Sequence, residues 1–230
     1  MKIKVSLEGV DKHLLFQAAI KKQLPYSIAL ALTRIAQAVQ ADIKKEMQKS
    51  FNSPTRWTLN SLRIEAARKG RLQAVVAVKD QVSRGNPALF WIAPEVHGGD
   101  RRDKRAEAIL KAANMLPSGM QAVPGRQAAL NRFGNMTKAS VVKAVQGAQA
   151  AESGEQQDGR TKYFVMRKSG QPIGIAARFS KSRMGMVMSF VDSARYQERL
   201  DYYGVGHKTV KRVREDELNK AIKHAIETAK

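Results

Sequence analysis

Histidines are the residues of this chain best suited to bind a metal or to transfer a proton, and there are four of them: His13, His97, His207 and His224. None stands in the H-x-x-x-H or H-E-x-x-H spacing that places two imidazoles on one helix face. Cysteine is absent, which excludes thiolate catalysis, disulfides and cysteine-bound zinc. We therefore expect no metal site and no cofactor.

The stretch from Gly204 to Thr209 has the composition of a phosphate-binding loop but not its order. His207 separates the second glycine from Lys208, and residues 196–203 before it have the pattern of a helix or turn, not of a buried strand. We predict a connector into the last helix, with Thr209 as its N-cap. A nuclease would need clustered carboxylates to hold Mg²⁺, but acidic residues are sparse, and the adjacent Glu215, Asp216 and Glu217 are explained by the dipole at the start of the last helix. We therefore predict that the chain is not an enzyme.

The net charge is +21, from 41 lysines and arginines against 20 aspartates and glutamates. A charge of this size usually indicates an anionic partner, either nucleic acid or the acidic face of another protein. The alternative is that the charge only maintains solubility. Residues 160–191 contain seven basic residues and no acidic one. Aromatic residues make up only 6% of the chain, so contact with DNA is expected at its backbone and not by base stacking.

Three groups of residues are candidate interface residues. Arg56 and Trp57 form the first, because arginine and tryptophan are the usual anchors of protein interfaces. The alternative for Trp57 is a core position under the hairpin that follows it. The other two groups lie at the start of a predicted helix and around a predicted turn, and their alternative is a solvated face: Arg101, Arg102 and Arg105, and Arg178, Lys181 and Arg183.

Apolar residues at spacings of three and four predict a long amphipathic helix early in the chain: Ile28, Leu32, Ile35, Val39, Ile43 and Met47. Residues 2–6 are predicted as a strand, and Asp11 as the cap of a helix to about residue 23. Residues 61–67 and 72–79 are predicted as a hairpin. Residues 88–96, an apolar stretch with Pro94 near its end, are predicted as a further strand.

Predicted helices alternate with irregular sequence in the middle of the chain. The first is capped by Asp100 or Asp103 and ends near residue 113, and the others cover residues 127–133 and 137–150. Residues 151–160 contain no large apolar side chain and are the predicted linker. An antiparallel meander is expected next, followed by a basic amphipathic helix to the end. The corresponding segments are 161–167, 172–179 and 184–191 for the strands, and 209–229 for the helix.

This order predicts an α+β fold in which an antiparallel sheet packs against the long N-terminal helix and the C-terminal helix, with a helical and irregular middle insertion. We assign residues 1–80 to an N-terminal strand, helix and hairpin, 81–160 to the insertion, and 161–230 to the strands and C-terminal helix. Residues 1–80 and 161–230 are expected to form one core domain. The most apolar stretch, 28–32, is far shorter than the roughly 20 residues of a membrane span, and no membrane contact is expected.

Two segments carry a family resemblance. Residues 51–62 read Phe-Asn-Ser-Pro-Thr-Arg-Trp-Thr-Leu-Asn-Ser-Leu, and residues 94–136 include Pro-Glu-Val-His-Gly-Gly-Asp-Arg-Arg, Leu-Pro-Ser-Gly and Gly-Asn-Met. The opening strand with its Leu-Glu-Gly-Val turn, the alanine-rich helix and the final strand and helix have a matching layout. The chain resembles the minor tail protein Z or tail-completion group of tailed bacteriophages.

Members of that group are small structural components at the junction of tail and head, usually in rings. The resemblance implies a virion component of the tail or neck that completes the tail or joins it to the head portal through protein–protein contacts in a homo-oligomeric ring. The implied partners are other virion proteins (portal, adaptor or tail tube), with backbone contact to packaged DNA. The implied location is the virion, after assembly in the host cytoplasm. The alternative is a sequence-independent DNA-binding protein.

Overall fold

Two antiparallel sheets and the helices around them divide the chain into two units. The computed structural model describes residues 1–6, 18–81, 87–157, 159–192 and 196–228. Unit 1 comprises Met1–Gly98 and Gln197–Lys230, and unit 2, Gly99–Tyr196, is inserted into its sequence. The predicted α+β class is confirmed, as are the long N-terminal helix and the C-terminal helix that pack on a sheet.

The described elements follow in this order: β1 (Lys2–Ser6), α1 (Ala18–Ser50), α2 (Arg56–Leu59), β2 (Leu62–Glu65), β3 (Gln73–Val78), α3 (Leu89–His97), α4 (Arg105–Ala112), β4 (Met120–Pro124), α5 (Lys138–Glu152), β5 (Lys162–Lys168), β6 (Gln171–Arg178), β7 (Met184–Asp192) and α6 (Tyr202–Glu227). The sheet of unit 1 has the order β1-β3-β2 and that of unit 2 the order β4-β7-β6-β5. All of these strand pairs are antiparallel.

The predicted apolar stripe lies on the buried side of α1. Leu32, Ile35, Val39, Ile43 and Met47 are each at most 2% exposed, because their spacing places them on one face of a 3.6-residue helix. That face packs against the sheet of unit 1 and against α6. The stripe is therefore the centre of the first core.

The sheet of unit 1 adds its inner face to this core. Ile3 of β1 lies opposite Val76 of β3, and both side chains belong to the same cluster as the α1 stripe. The phenol of Tyr202, buried at the start of α6, donates a hydrogen bond of 3.1 Å to the Val76 carbonyl. This bond attaches the last helix to the central strand.

Helix α6 runs antiparallel to α1. The Ser27 hydroxyl lies 3.1 Å from Nδ1 of His224 near one end of the pair. Near the other end, the Thr209 hydroxyl donates to the Asp42 carboxylate at 3.0 Å. The two helices are therefore joined by polar contacts at both ends of their shared apolar face.

Unit 2 has its own core under a four-stranded sheet. Val165, Ile175 and Val187 come from the meander strands, and they pack with Leu110 of α4 and Ala148 of α5. The meander β5-β6-β7 is confirmed, as is α5, whose predicted cap Thr137 accepts a hydrogen bond from the backbone of Ser140. The prediction of a single sheet did not anticipate this separate layer.

Hydrogen bonds join the two chain segments at the start and the end of the insertion, within each unit separately. In unit 1, the Glu95 carbonyl accepts from the N–H groups of Arg199 and Leu200, at 2.8 and 2.9 Å. The Glu95 carboxylate also receives two hydrogen bonds of 2.9 Å from the Arg199 guanidinium. In unit 2, Gly99 and Tyr196 exchange backbone hydrogen bonds. The chain thus leaves and re-enters each unit at neighbouring positions.

The predicted strand at residues 88–96 is wrong, because this segment forms helix α3. Ala88, Ile92 and Val96 are buried and lie four positions apart, which a helix places on one face, and Pro94 is buried as well. A segment that is apolar at most positions has no alternation to distinguish a buried strand from a buried helix. Length and composition favoured the strand, and packing against the core of unit 1 favours the helix.

Two further predictions differ from the structure in the middle of the chain. Residues 127–133 form turns, not a helix, because the Asn131 side chain accepts hydrogen bonds from the backbone of Phe133 and Asn135. Strand β4 was not predicted, since prolines and glycines surround it. The predicted Asp11 cap lies outside the described residues.

Helix α6 begins seven residues before the predicted start at Thr209. Its N-cap is Asp201, whose side chain accepts from the Gly204 N–H at 2.8 Å. The phosphate-loop-like stretch is therefore helical. Gly206 permits close packing there, because a Cβ at this position would collide with the side chain of Ile3.

The domain boundaries also differ from those assigned from sequence. The expected core paired residues 1–80 with 161–230 and placed 81–160 in the insertion. In the structure the meander strands share a sheet with β4 and belong to unit 2, while α3 belongs to unit 1. This division depends on the pairing of β4 with β7, which lie more than 60 residues apart in sequence. A local sequence pattern does not predict such a pairing.

Candidate interaction site

Trp57 and Trp91 stack on one another at the surface of unit 1. Their ring centroids are 4.3 Å apart and their planes differ by 27°. Trp57, on α2, is 55% exposed, whereas Trp91, on α3, packs against the core. The pair therefore presents a large apolar ring to solvent on a support that is itself anchored. We call it the tryptophan site.

Local hydrogen bonds hold Trp57 in this position. The Thr55 side chain accepts from the Thr58 N–H at 3.1 Å and caps the single turn of α2. Beyond α2, the Asn60 side chain accepts from the Lys44 ammonium of α1 at 3.1 Å. Leu59 packs against the core on the inner side of the turn, which leaves Trp57 on its outer side.

Two exposed basic residues belong to the segments that carry or adjoin the tryptophan site. Arg56 is exposed next to Trp57 and takes part in no ion pair between described residues. Lys79 is exposed, and its carbonyl accepts from the N–H of Leu89, the first residue of the helix that carries Trp91. A large apolar ring beside arginine is the side-chain combination most enriched at the energetic centres of interfaces. The predicted residues Arg56 and Trp57 thus lie together, and Trp91 is the partner that sequence reasoning missed.

Arg101 does not lie on a free surface. Its side chain is 9% exposed and makes two hydrogen bonds to Glu107, of 2.7 and 2.5 Å. Glu107 is fully buried and also accepts from the backbone N–H groups of Lys104 and Ala122, at 2.6 and 2.9 Å. The pair joins the start of the insertion, α4 and β4. Arg101 is therefore part of the interior of unit 2.

The environment of Glu107 keeps its carboxyl ionised. Burial opposes the charged form, but the hydrogen bonds from Arg101, Lys104 and Ala122 and the charge of Arg101 together hold the pKa of Glu107 below its usual value. The same pairing raises the pKa of Arg101. A sequence pattern would find neither residue, because the two lie six positions apart and only the fold buries them.

The remaining predicted residues are exposed on unit 2. Arg102 and Arg105 flank the start of α4. Arg178, Lys181 and Arg183 lie around the turn between β6 and β7. The predicted interface residues thus occupy three kinds of position. Arg56 and Trp57 lie at the tryptophan site of unit 1, Arg101 is buried in unit 2, and the others are exposed cations on unit 2.

Two polar contacts between α1 and α6 were not anticipated from sequence. Ser27 and His224 have the residue types of a nucleophile and a base, but Ser27 is 1% exposed in the middle of a helix, which closes it to a substrate.

Asp42 faces a groove of about 270 Å³ and receives hydrogen bonds from Thr209, Lys45 and Arg212. Burial acts to raise the pKa of Asp42, but these hydrogen bonds and the charges of Arg212 and Lys45 lower it. Both contacts fasten the helices together.

Metal-binding geometry is not found in the described part of the chain, where no three histidine, aspartate or glutamate side chains are grouped to hold an ion. Within the same residues, none of the helices combines the length and apolarity needed to cross a membrane. No protein-family model matches the sequence, and neither a curated protein nor a solved structure matches it.

Proposed function

We infer that this protein is a structural subunit of a tailed-bacteriophage virion, at the tail or neck, and that it acts through protein–protein contacts in a ring. The observation that carries this proposal is the tryptophan site. Trp57 lies within residues 51–62, the segment that resembles tail and neck proteins. It is more exposed to solvent than Trp91, the other tryptophan of the chain. A catalytic role has no comparable support among the described residues.

The exposure of Trp57 favours a binding role. An aromatic ring held by a capped turn and stacked on an anchored partner loses little conformational freedom when it is covered. The capping bond at Thr58 and the bond between Lys44 and Asn60 already fix the turn. The site is therefore preorganised to insert Trp57 into a pocket on a neighbour.

The proposed neighbour is a second copy of the chain. The exposed Arg56 beside the tryptophans would suit a carboxylate partner, and unit 1 exposes Asp216 and Glu215 on a different element, α6, where Glu215 lies 3.9 Å from Arg214 of the same subunit. A contact between two different patches of identical subunits generates a ring when the rotation between them closes. The tryptophan site on one subunit would then meet α6 of the next.

Light scattering of the purified protein across a concentration series, at low and at high salt, tests this proposal. The mass should rise to a fixed multiple of 25.5 kDa. High salt should favour the larger species, because it screens the repulsion between chains of net charge +21 and strengthens apolar contact.

Trp57→Ala should keep the protein monomeric under the same conditions. Tyr26→Ala is the matched control, since Tyr26 is another aromatic residue of unit 1 that is about half exposed, and this variant should assemble normally. A wild-type protein that stays at 25.5 kDa at every concentration and salt, or a Trp57→Ala variant that assembles as well as the wild type, would refute the proposal.

A further inference from the structure

One end of the sheet in unit 2 carries a row of exposed basic and apolar side chains. Lys162, the first residue of β5, lies opposite Arg178, the last residue of β6, and Arg178 lies opposite Met184, the first residue of β7. Residues directly opposite in an antiparallel pair point to the same face, with strands about 4.8 Å apart. All three are exposed. Cross-strand pairing thus aligns side chains that are 16 residues apart in sequence.

The turn that follows β6 adds two cations to this end. Lys181 and Arg183 are exposed. The Phe179 N–H donates to the Arg183 carbonyl at 2.8 Å, and the Arg183 N–H donates to the Ser180 hydroxyl at 3.1 Å. The Arg183 guanidinium lies 5.1 Å from the centre of the Phe179 ring. These contacts fix the turn and hold the Arg183 side chain against the Phe179 ring without neutralising its charge.

A further arginine reaches the same end from the other side of β7. The N–H groups of Gly125 and Gln127 donate to the carbonyls of Val187 and Met186, at 3.0 and 2.8 Å, so the chain after β4 continues along the edge of β7. Arg126 lies between these two bonds and is exposed. We name Arg126, Lys162, Arg178, Lys181 and Arg183 the cationic end of unit 2.

Carboxylates do not neutralise the cationic end among the residues that the structure describes, since none of its five members takes part in an ion pair. Glu152 instead pairs with Arg167, near the other end of β5, at 2.7 Å. Asp192 lies at the far end of β7, opposite Met120. The ammonium of Lys162 donates to the Gln157 carbonyl, which leaves its charge uncompensated.

We propose that the cationic end of unit 2 binds the phosphate backbone of duplex DNA without reading its sequence. Arginine and lysine side chains can donate hydrogen bonds to phosphate oxygens, and such contacts carry no sequence information. The ring of Phe179 is covered by Arg183, so the turn offers no platform for stacking a base. This surface lies in a different unit from the tryptophan site, and the proposal does not depend on ring formation.

Anisotropy of a labelled duplex of about 20 base pairs, titrated with the full chain between about 50 and 200 mM salt, tests this proposal. Each neutralised phosphate contributes about 0.9 to the slope of log affinity against log salt. The variant Arg178→Gln/Lys181→Gln/Arg183→Gln should therefore lower that slope by about 2 to 3 and weaken binding at least about tenfold. Two unrelated duplex sequences should bind with the same affinity.

The matched control is Arg68→Gln/Lys69→Gln/Arg71→Gln, which removes the same charge from an exposed hairpin turn of unit 1. It should leave the slope within about 1 of the wild type. If both triple variants lose binding equally, only net charge matters and the proposal is overturned. The single variant Lys181→Gln, in the exposed turn, should lower the slope by about 1, and it provides a test if the triple variant does not fold.

Poly-glutamate serves as the competitor, compared at equal total charge with unlabelled duplex. The duplex should displace the labelled DNA at much lower concentration. Equal displacement by poly-glutamate would overturn the proposal and identify the cationic end as a surface for an acidic protein.

Discussion

Unit 1 and unit 2 are both α+β layers with their own cores, but different interactions hold them and different side chains lie on their surfaces. The core of unit 1 is centred on the apolar stripe of α1, and its buried polar residues are the neutral Ser27, Ser61 and Thr209. Unit 2 encloses a complete ion pair, Arg101 with Glu107. Unit 1 also holds both tryptophans, whereas the meander of unit 2 contains no acidic residue before Asp192, its last position. The difference suggests that one unit binds protein through an apolar anchor and the other binds an anion through charge.

The largest effect is expected from Glu107→Gln. It leaves Arg101 buried without its partner, which should lower the free energy of unfolding of unit 2 by about 3–5 kcal/mol. Urea unfolding followed by circular dichroism should show this loss. Tryptophan fluorescence, which reports only unit 1, should keep its transition unchanged. Glu152→Gln is the matched control at an exposed pair and should cost less than about 1 kcal/mol. Equal shifts of both signals would show that the units unfold together.

Ile43→Ala should produce the converse pattern. Ile43 is fully buried in the α1 stripe, and its truncation should destabilise unit 1 by about 2–5 kcal/mol through lost apolar burial and a cavity. Here the transition seen by tryptophan fluorescence should move to lower urea. If circular dichroism shows a shift and tryptophan fluorescence does not, the division into units is contradicted.

Acid should weaken unit 2 through Glu107. The folded pKa of Glu107 is below the ordinary value of 4.5, so its contribution to stability is present above that pH and is lost as the pH falls through the folded pKa. Unfolding of unit 2 by circular dichroism should therefore need less urea with each step below about pH 4.5. In Glu107→Gln this part of the pH dependence should disappear, and its persistence would assign the acid sensitivity to other carboxyls.

The smallest effects on stability are expected from replacing a glycine in two hairpin turns, one in each unit. Gly170, between β5 and β6, has a φ of 81°, so Gly170→Ala should destabilise unit 2 by about 1–2 kcal/mol. Gly70, between β2 and β3, is not in the left-handed region, and a Cβ there meets open space. Gly70→Ala should therefore be neutral or should stabilise unit 1 by about 0.4–1 kcal/mol. Thermal unfolding of the two variants checks this ordering, and a reversed order would contradict the backbone geometry of the turns.

Periodic segments could be predicted from the sequence, and elements that depend on distant packing could not. The apolar stripe of α1 and the strand-forming segments of the meander with turn residues between them are local patterns, and both elements were predicted correctly. The segment at residues 88–96 is apolar at most positions, so its sequence does not separate a strand from a helix, and its helical state depends on burial in the core of unit 1. Strand β4 is held by its pairing with β7, about 70 residues later, which no local rule records.

The candidate sites show the same limit. Trp57 and Arg56 were identified by residue type, but the stacking partner Trp91 was assigned to a strand, so the pair could not be foreseen. The sequence gives no sign that separates Arg101 from Arg102 and Arg105, and all three were assigned to the same candidate interface group. Only the fold places Glu107 within hydrogen-bond distance of it and thereby removes Arg101 from the surface.

The most direct test of the account is the acrylamide quenching of tryptophan emission across the concentration range in which the ring should form. Both tryptophans of the chain lie at the tryptophan site, so the emission reports on that site alone. The account predicts a blue shift and a clear fall in quenching as Trp57 becomes buried against the neighbouring copy. Emission and quenching that stay constant while the mass rises would show that the subunits associate through another surface.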